Sequence, residues 1–233
     1  MLEHILTAEA AGLEISLPDT APAAFRAYYT LLAERNAVMD LTAVTGEEQV
    51  ARRHFLDSLM LTHCTDLAGK RVIDVGTGAG FPGLPLKIAV PSMELTLLDA
   101  QQKRVDFLQE ACAVSGVQAR CIHARAEEAA AELREQFDTA VSRAVARLNI
   151  LCELCLPFVR PSGLFLAMKG SAAQEEADEA RSAAAVLGGK IVRLETYTLP
   201  GEDIRRAVVV IRKERATPPQ YPRRFARIQK KPL

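Results

Sequence analysis

The chain has 233 residues, of which 49% are hydrophobic and 25% charged, and its 29 basic side chains balance 29 acidic ones. This length suits one medium-sized domain with an appendage, and the composition excludes a disordered or collagen-like chain. No stretch approaches the ~20 consecutive apolar residues of a membrane span, and no basic segment followed by an apolar one opens the chain, so we expect a cytoplasmic protein that contacts no membrane.

Residues 1–66 predict a helical N-terminal extension. Apolar residues recur at helical spacing between Phe25 and Val38. Residues 45–48 have the Thr-x-x-Glu pattern of a capping box with Thr45 as the N-cap, which predicts a further helix that continues to Leu61.

Residues 67–212 alternate short apolar runs with helical patterns, which predicts a doubly wound α/β domain with a mostly parallel, seven-stranded sheet. The five runs expected to form parallel strands are residues 71–75, 94–98, 119–122, 139–142 and 163–168. The segments between them, such as residues 102–115, are long enough for crossover helices. Two longer runs, residues 190–199 and 205–212, flank a turn and predict an antiparallel pair at the edge of the sheet.

The strongest motif is a glycine-rich turn that follows the first predicted strand. Gly76, Gly78 and Gly80 alternate there, so the backbone can turn sharply and a ligand can approach without meeting a Cβ atom. Asp99 ends the next strand, 19 residues after Gly80, where a carboxylate can accept hydrogen bonds from both ribose hydroxyls of an adenosine. Together the turn and the acid predict an adenosine-containing ligand.

Two features favour S-adenosylmethionine over NAD, although the glycines also satisfy the dinucleotide pattern. Asp74 directly precedes the turn, where a carboxylate would face a cationic ligand group and repel a pyrophosphate. Pro82 and Pro85 remove amides that a phosphate would use as donors. With the antiparallel edge pair, these features predict a class I methyltransferase fold, and an NAD-dependent oxidoreductase stays open as the alternative.

Two further strand ends carry candidate ligand contacts. The backbone of Ala126 and the carboxylate of Glu127 follow the third predicted strand, where they can reach an adenine edge, or the acid can simply favour a helix N-terminus. Arg143 ends the fourth strand and can pair with a ligand carboxylate or donate to a substrate oxygen, with a surface ion pair as the alternative.

Cys152 and Cys155 lie in an apolar helical run without a second ligand pair at zinc spacing, so we interpret them as buried cysteines and expect no metal site.

From Arg212 onward the chain has eight basic residues and one acidic one. Residues 213–233 therefore predict a flexible basic tail, which is either solvated or in contact with nucleic-acid phosphates.

The sequence resembles the bacterial small-subunit rRNA guanine-N7 methyltransferases, the glucose-inhibited division protein B family. The segments that carry this resemblance are residues 74–83, 97–99 with 103–108, 141–144 and 167–170, together with Asn36, residues 41–44 and residues 53–58. The resemblance extends from about Tyr28 to Arg212. One departure is Ala79, which stands where many members have proline and is expected to alter loop rigidity more than ligand choice.

This resemblance implies transfer of a methyl group from S-adenosylmethionine to N7 of a guanine in the decoding-region loop of 16S rRNA, leaving S-adenosylhomocysteine. The family's cofactor-binding positions carried over are Gly76, Phe81, Ala126, Glu127 and Arg143. The partner implied is 16S rRNA, either in the small ribosomal subunit or in an assembly intermediate, and we expect a monomer. A noncatalytic RNA-binding protein or a methyltransferase of another substrate class are the remaining alternatives.

The residues predicted to contact RNA are Arg53, His54, Lys169, Arg223 and Arg224. Arg53 and His54 each lie about one helical turn from Asp57, so a local packing network is the alternative for these two. Guanine N7 carries a free lone pair, so we expect no general base among the catalytic residues and assign Arg143 to positioning.

Overall fold

A computed structural model describes residues 1–233. The helices are α1 (Leu2–Gly12), α2 (Ala21–Met39), α3 (Glu47–Val50), α4 (Asp57–Leu59), α5 (Gly83–Ala89), α6 (Gln102–Val114), α7 (Ala126–Ala129), α8 (Leu148–Cys155), α9 (Ala173–Val186) and α10 (Phe225–Lys230). The strands are β1 (Arg71–Val75), β2 (Glu94–Asp99), β3 (Ala119–His123), β4 (Phe137–Arg143), β5 (Val159–Lys169), β6 (Gly189–Tyr197) and β7 (Arg206–Lys213). None of the helices combines the length and apolarity that crossing a bilayer demands.

The seven strands form one sheet in the order β3-β2-β1-β4-β5-β7-β6. Strands β1 to β5 are parallel, and β7 runs antiparallel to both β5 and β6. The predicted α/β class, the five parallel strands and the antiparallel edge pair are therefore confirmed. Because the order reverses between β1 and β4, the carboxyl ends of these strands open a crevice.

Helices cover both faces of the sheet, because side chains of each strand alternate between two apolar cores. Val72 of β1 packs with α2, α5 and α6, whereas the next residue, Ile73, packs with α8, α9 and α10. Helix α2 begins with Pro22 in its first turn and buries Phe25 and Tyr28 one turn apart. The N-terminal extension thus packs on the same face as the helix that follows the glycine-rich turn.

The helix predicted after Thr45 differs from expectation at its start and in its middle. Gly46 is the N-cap and no side chain caps the helix, and Glu48, the acid of the predicted box, instead pairs with Arg52. The prediction of a capping box with Thr45 as the N-cap is therefore wrong. A π-helical segment, Ala51–Leu56, interrupts the α-helical turns and rotates the residues that follow it.

The basic C-terminal segment packs against the body, which differs from the flexible tail that its composition predicted. Arg223 donates to the fully buried carboxylate of Glu153 at 2.6 and 2.8 Å, and Ile228 is fully buried beside α8. Arg134 donates to the carbonyl oxygens of Thr217 and Tyr221. A residue count could not anticipate this packing, because the acid that receives Arg223 lies 70 residues away.

Candidate functional site

The glycine-rich turn lies at the carboxyl end of β1 and has the backbone that its sequence predicts. Gly76, Gly78 and Gly80 have φ angles of 71°, 60° and 101°, which L side chains rarely adopt. A Cβ atom on Gly76 would lie 2.7 Å from the side chain of Val145, whereas one on Gly78 would meet nothing within 4 Å. The turn therefore presents bare backbone toward open space beside Val145.

A cavity of about 230 Å³ adjoins this turn. Its walls are the carboxyl ends of neighbouring strands together with two later segments: Gly76, Leu98, Asp99, Ala100, Ala124, Arg125, Ala126, Glu127, Val145, Leu154 and Phe225. The structure thus brings together four of the predicted ligand contacts, Gly76, Asp99, Ala126 and Glu127. We refer to this space as the strand-end cavity.

Asp99 is 4% exposed and lines the strand-end cavity. Its Oδ2 accepts a hydrogen bond of 2.9 Å from the Gly78 amide, and its Oδ1 accepts one of 2.9 Å from the Gln101 amide. Each carboxylate oxygen has two lone-pair directions, so one acceptor site on each remains for a ligand hydroxyl. This geometry suits two neighbouring hydroxyls of a ribose.

The sequence predicted that Asp74 faces the ligand. In the structure Asp74 lies beneath the turn, is fully buried and does not line the cavity. Its Oδ2 accepts hydrogen bonds from Thr77 Oγ1 at 2.6 Å and from the Gly83 amide at 2.8 Å, which ties the turn to the start of α5. Its Oδ1 has no partner. Burial raises the pKa of this carboxyl to about 7 against these two bonds.

Gly80 and Phe81 are also placed differently from the predicted ligand contacts. A Cβ atom on Gly80 would lie 2.7 Å from the hydroxyl of Tyr28, so its close approach is to α2. The ring of Phe81 is 5% exposed and packs 4.4 Å from the ring of His54 and 4.9 Å from the guanidinium carbon of Arg143. Both residues support the site from below.

A larger cavity of about 630 Å³ lies on the other side of Val145. Its lining is rich in cations and comes from four separate parts of the chain: Val44, Arg53, His54, Asp57, Arg143, Ala144, Val145, Ala146, Arg147, Met168, Lys169, Gly170, Glu176, Tyr197, Ile204 and Arg206. We refer to it as the cationic cavity. Val145 is the residue that lines both cavities.

Arg143 reaches the cationic cavity from the end of β4 and is held by the helical extension. Its Nη1 donates to Asp57 Oδ2 and to the Arg53 carbonyl oxygen, each at 3.0 Å, and its Nη2 lies 3.1 Å from His54 Nδ1. The guanidinium is therefore fixed in position. The alternative of a surface ion pair is wrong, since both Arg143 and Asp57 are largely buried.

Asp57 is the centre of this network and is 2% exposed. Besides Arg143 it accepts a hydrogen bond of 2.8 Å from the Tyr197 hydroxyl and pairs with Arg206 Nη1 at 3.3 Å. Arg206 Nε is buried and has no partner. Sequence reasoning missed Tyr197 and Arg206; an arginine at the start of β7 was the available signal, but Asp57, which both residues contact, lies 140 or more residues away.

His54 is a neutral member of this network. Burial, together with the charges of Arg143 and Arg206, lowers its pKa to about 3. Its Nε2 makes a hydrogen bond of 2.7 Å with Thr42 Oγ1. These contacts favour the packing alternative for His54, which is 8% exposed, and its contact with RNA stays a prediction.

The other residues predicted to contact RNA are mostly engaged within the protein. Lys169 pairs with Glu176 at 2.8 Å and donates to the Ala146 carbonyl oxygen, and Arg53 pairs with Glu202. Arg223 is committed to Glu153, so its side chain is not free for phosphate. Arg224 is exposed.

Cys152 and Cys155 are fully buried on α8, as expected. Burial raises the pKa of Cys152 to about 12 and raises that of Cys155 further. Neither thiol is poised for chemistry, because only the thiolate is a good nucleophile or metal ligand. No group of three or more His, Cys, Asp or Glu side chains is arranged to hold a metal ion.

Comparison with known proteins links this arrangement to one family. Residues 22–205 match the family model GidB, described as rRNA small subunit methyltransferase G. The chain is 45% identical over 236 residues to "Ribosomal RNA small subunit methyltransferase G" of Alkaliphilus oremlandii, covering 100% of this chain and 99% of that protein. It is 48% identical over 210 residues to the protein of the same name in Alkaliphilus metalliredigens, with 88% of each chain covered.

Among solved structures, the chain resembles M. jannaschii TYW2, which was crystallised in complex with AdoMet. The TM-score is 0.56 at 12% sequence identity, and the match covers 69% of this chain and 76% of that chain. At this identity the likeness concerns the fold.

Proposed function

The chain belongs to the rRNA small subunit methyltransferase G family, and on that premise we propose that it transfers a methyl group from S-adenosylmethionine to N7 of a guanine in 16S rRNA. One observation supports this most strongly: the strand-end cavity, which we take to hold the adenosine, adjoins the cationic cavity at Val145, which lines both. The two cavities provide adjoining spaces for a cofactor and a base. Their junction is the proposed place of methyl transfer.

The residues beneath the strand-end cavity fit a cofactor with an adenosine and a cationic amino-acid end. Asp99 offers two free acceptor directions to ribose hydroxyls, and the backbone at Gly78 leaves room for close approach. The Oδ1 of Asp74 lacks a hydrogen bond, and although the glycine-rich turn covers this carboxyl in the free protein, we propose that an ammonium group of the ligand supplies the bond once the turn moves aside. We propose that Gly76, Ala126 and Glu127 complete the adenosine contacts.

S-adenosylmethionine supplies, when bound, an electrophilic methyl group on a sulfonium sulfur. Guanine N7 already holds an in-plane lone pair, so no proton has to leave before it attacks. With its pKa lowered to about 3 and its ring nitrogens hydrogen-bonded, His54 is a poor proton acceptor, which agrees with a site that needs no base. The protein contributes orientation of the two reactants, which in favourable cases is worth about 7–11 kcal/mol.

We propose that Arg143 and Arg206 orient the guanine through its O6 atom. Three guanidiniums, those of Arg53, Arg143 and Arg206, meet only two carboxylates, of Asp57 and Glu202, so one positive charge in this cluster is not neutralised. The orphaned Nε of Arg206 is a buried donor that lacks an acceptor. An oxygen beside N7 would satisfy it and align the ring.

The substrate must present its base outside a regular helix. In A-form RNA the major groove that contains N7 is too deep and narrow for side chains, so the proposed target lies in a loop, in the decoding region, or is drawn out of its stack. We therefore propose the small ribosomal subunit or an assembly intermediate as the partner, and the cytoplasm as the place of action. A monomer remains a prediction.

The decisive experiment maps N7-methylguanine in 16S rRNA from cells that contain the protein, lack it, or carry Asp99→Ala in its place. We expect one N7-methylguanine in the decoding region to disappear without the protein and to stay absent with Asp99→Ala. Persistence of every N7-methylguanine in cells without the protein would refute the substrate. Titration of purified protein with S-adenosylhomocysteine and with NAD separates the two cofactor classes.

A further inference from the structure

The strand-end cavity contains one wall that the glycine-rich motif does not account for. This wall is Phe225, which comes from the C-terminal segment that follows the sheet. Apart from Val145 and Leu154, every other lining residue precedes Phe225 by more than 95 residues. Its side chain is half-buried and packs against the core beneath α8. The C-terminal segment therefore takes part in the cavity that is proposed to hold the cofactor.

Phe225 stands at one particular end of this cavity. A second cleft, of about 700 Å³, shares three lining residues with it: Arg125, Glu127 and Phe225. Asp99, the proposed ribose contact, lines only the first of the two. Phe225 thus lies, with Arg125 and Glu127, between the strand-end cavity and the open cleft, at the end of the cavity formed by the loop after β3.

Buried polar contacts fix the path of the chain that delivers Phe225. Two residues before it, Arg223 donates from its backbone amide, Nε and Nη2 to the carboxylate of Glu153, which is 0% exposed. Three residues after it, Ile228 is also fully buried. Because an unpaired buried carboxylate is costly, the ion pair with Glu153 holds the segment in this one place.

We propose that Phe225 forms the adenine wall of the cofactor site, so that the C-terminal segment is part of the binding machinery and not an appendage. This inference rests on the proposed function, because it takes the strand-end cavity to be the adenosine site. An aromatic ring beside a purine adds contact area and excludes water from one side of the base. Removal of the ring would connect the cavity with the open cleft and expose that side of the adenine to water.

A fluorescence experiment tests this directly, because the chain has no tryptophan. In Phe225→Trp the single indole would line the cavity, and we expect saturable quenching or a shift of its emission on addition of S-adenosylhomocysteine. Adenosine should produce the same change at higher concentration, and methionine should produce none. The matched control is Gln229→Trp, on the same helix, which lines only the open cleft and should respond little.

Calorimetry provides the second measurement. We expect Phe225→Ala to weaken binding of S-adenosylhomocysteine by about 5- to 150-fold, which corresponds to the roughly 1–3 kcal/mol that base–aromatic stacking is worth. Arg227→Ala, an exposed position of the same helix, should bind like the unmodified protein. Should Phe225→Ala unfold, Phe225→Leu retains apolar packing, and a loss of about 3-fold is expected for it.

The outcomes separate this inference from the function on which it rests. If the unmodified protein binds S-adenosylhomocysteine, Asp99→Ala weakens binding, and neither Phe225→Trp emission nor Phe225→Ala affinity changes, the adenine wall is wrong and the cofactor site stands. If the unmodified protein does not bind the ligand, both fail. Loss of binding in a folded Phe225→Trp protein supports the proposal, because a larger ring can obstruct only a cavity that it lines.

Discussion

The strand-end cavity and the cationic cavity meet at Val145 but are built in different ways. The first is formed mainly by backbone and by the ends of β1, β2 and β3, which parallel pairing places side by side. The second is held by ion pairs between segments far apart in the chain, centred on Asp57. The first therefore depends on local sequence, and the second on how the N-terminal extension and the edge pair β6-β7 dock onto the sheet.

This contrast separates binding from stability. A carboxylate that holds only two backbone amides besides its ligand, as Asp99 does, costs less folding free energy to replace than one that neutralises two buried guanidiniums. We expect substitutions in the cationic cavity to alter stability or turnover, and substitutions in the strand-end cavity to alter cofactor affinity.

Asp57→Ala should cost about 3–5 kcal/mol of unfolding free energy, because it leaves Arg143 and Arg206 without their buried partner. Urea denaturation measures this. Asp178→Ala removes an exposed pair with Arg181 and serves as the control, with no measurable change expected. Equal stability of the two variants would contradict the central place of Asp57.

Arg143→Ala should reduce the rate of methyl transfer to small ribosomal subunits by about 10²–10³-fold, the usual cost of removing one preorganised donor from a reacting site. Its affinity for S-adenosylhomocysteine should stay within about 3-fold, because Arg143 does not line the strand-end cavity. Single-turnover assays and calorimetry measure the two quantities. A large loss of affinity would instead place Arg143 on the cofactor, which is the other role that the sequence allowed.

Asp99→Ala should weaken S-adenosylhomocysteine binding by about 30- to 100-fold, since two charge-assisted hydrogen bonds to ribose are lost and the turn loses its anchor at Gly78. The measurement is calorimetric. Asp106→Ala is the control, as an exposed carboxylate on the neighbouring helix α6. An unchanged affinity in Asp99→Ala would move the ribose away from this strand end.

The same contrast explains how far sequence reasoning could reach. The strands and the positions of Gly76, Asp99 and Ala126 follow from apolar runs and a motif, because parallel strands bring their ends to one edge. The roles of Arg206, Tyr197 and Phe225 depend on contacts across 70 to 150 residues, which no local pattern encodes. The residue types of His54 and Arg223 suggested RNA contacts, but buried partners within the protein determine the surroundings of both side chains.

Asp74 is expected to affect both stability and cofactor affinity, because its Oδ2 holds the turn and its Oδ1 is an acceptor left for a ligand. Its pKa is raised from 3.8 to about 7 by burial, so folding favours the protonated form. The folded state then binds more protons than the unfolded state between these pH values. This contribution to stability is fully present below the unfolded-state pKa of 3.8 and is lost as the pH rises from there through 7.

Cofactor affinity should have the opposite pH dependence if an ammonium group pairs with Asp74, because the ligand selects the ionised carboxylate. We expect S-adenosylhomocysteine to bind up to about 10-fold more weakly at pH 6 than at pH 8, where the affinity levels off. Calorimetry across this range measures the effect. In Asp74→Asn the affinity should be lower and nearly independent of pH. A pH-independent affinity in the unmodified protein would show that Asp74 only ties the turn to α5 through Thr77 and Gly83.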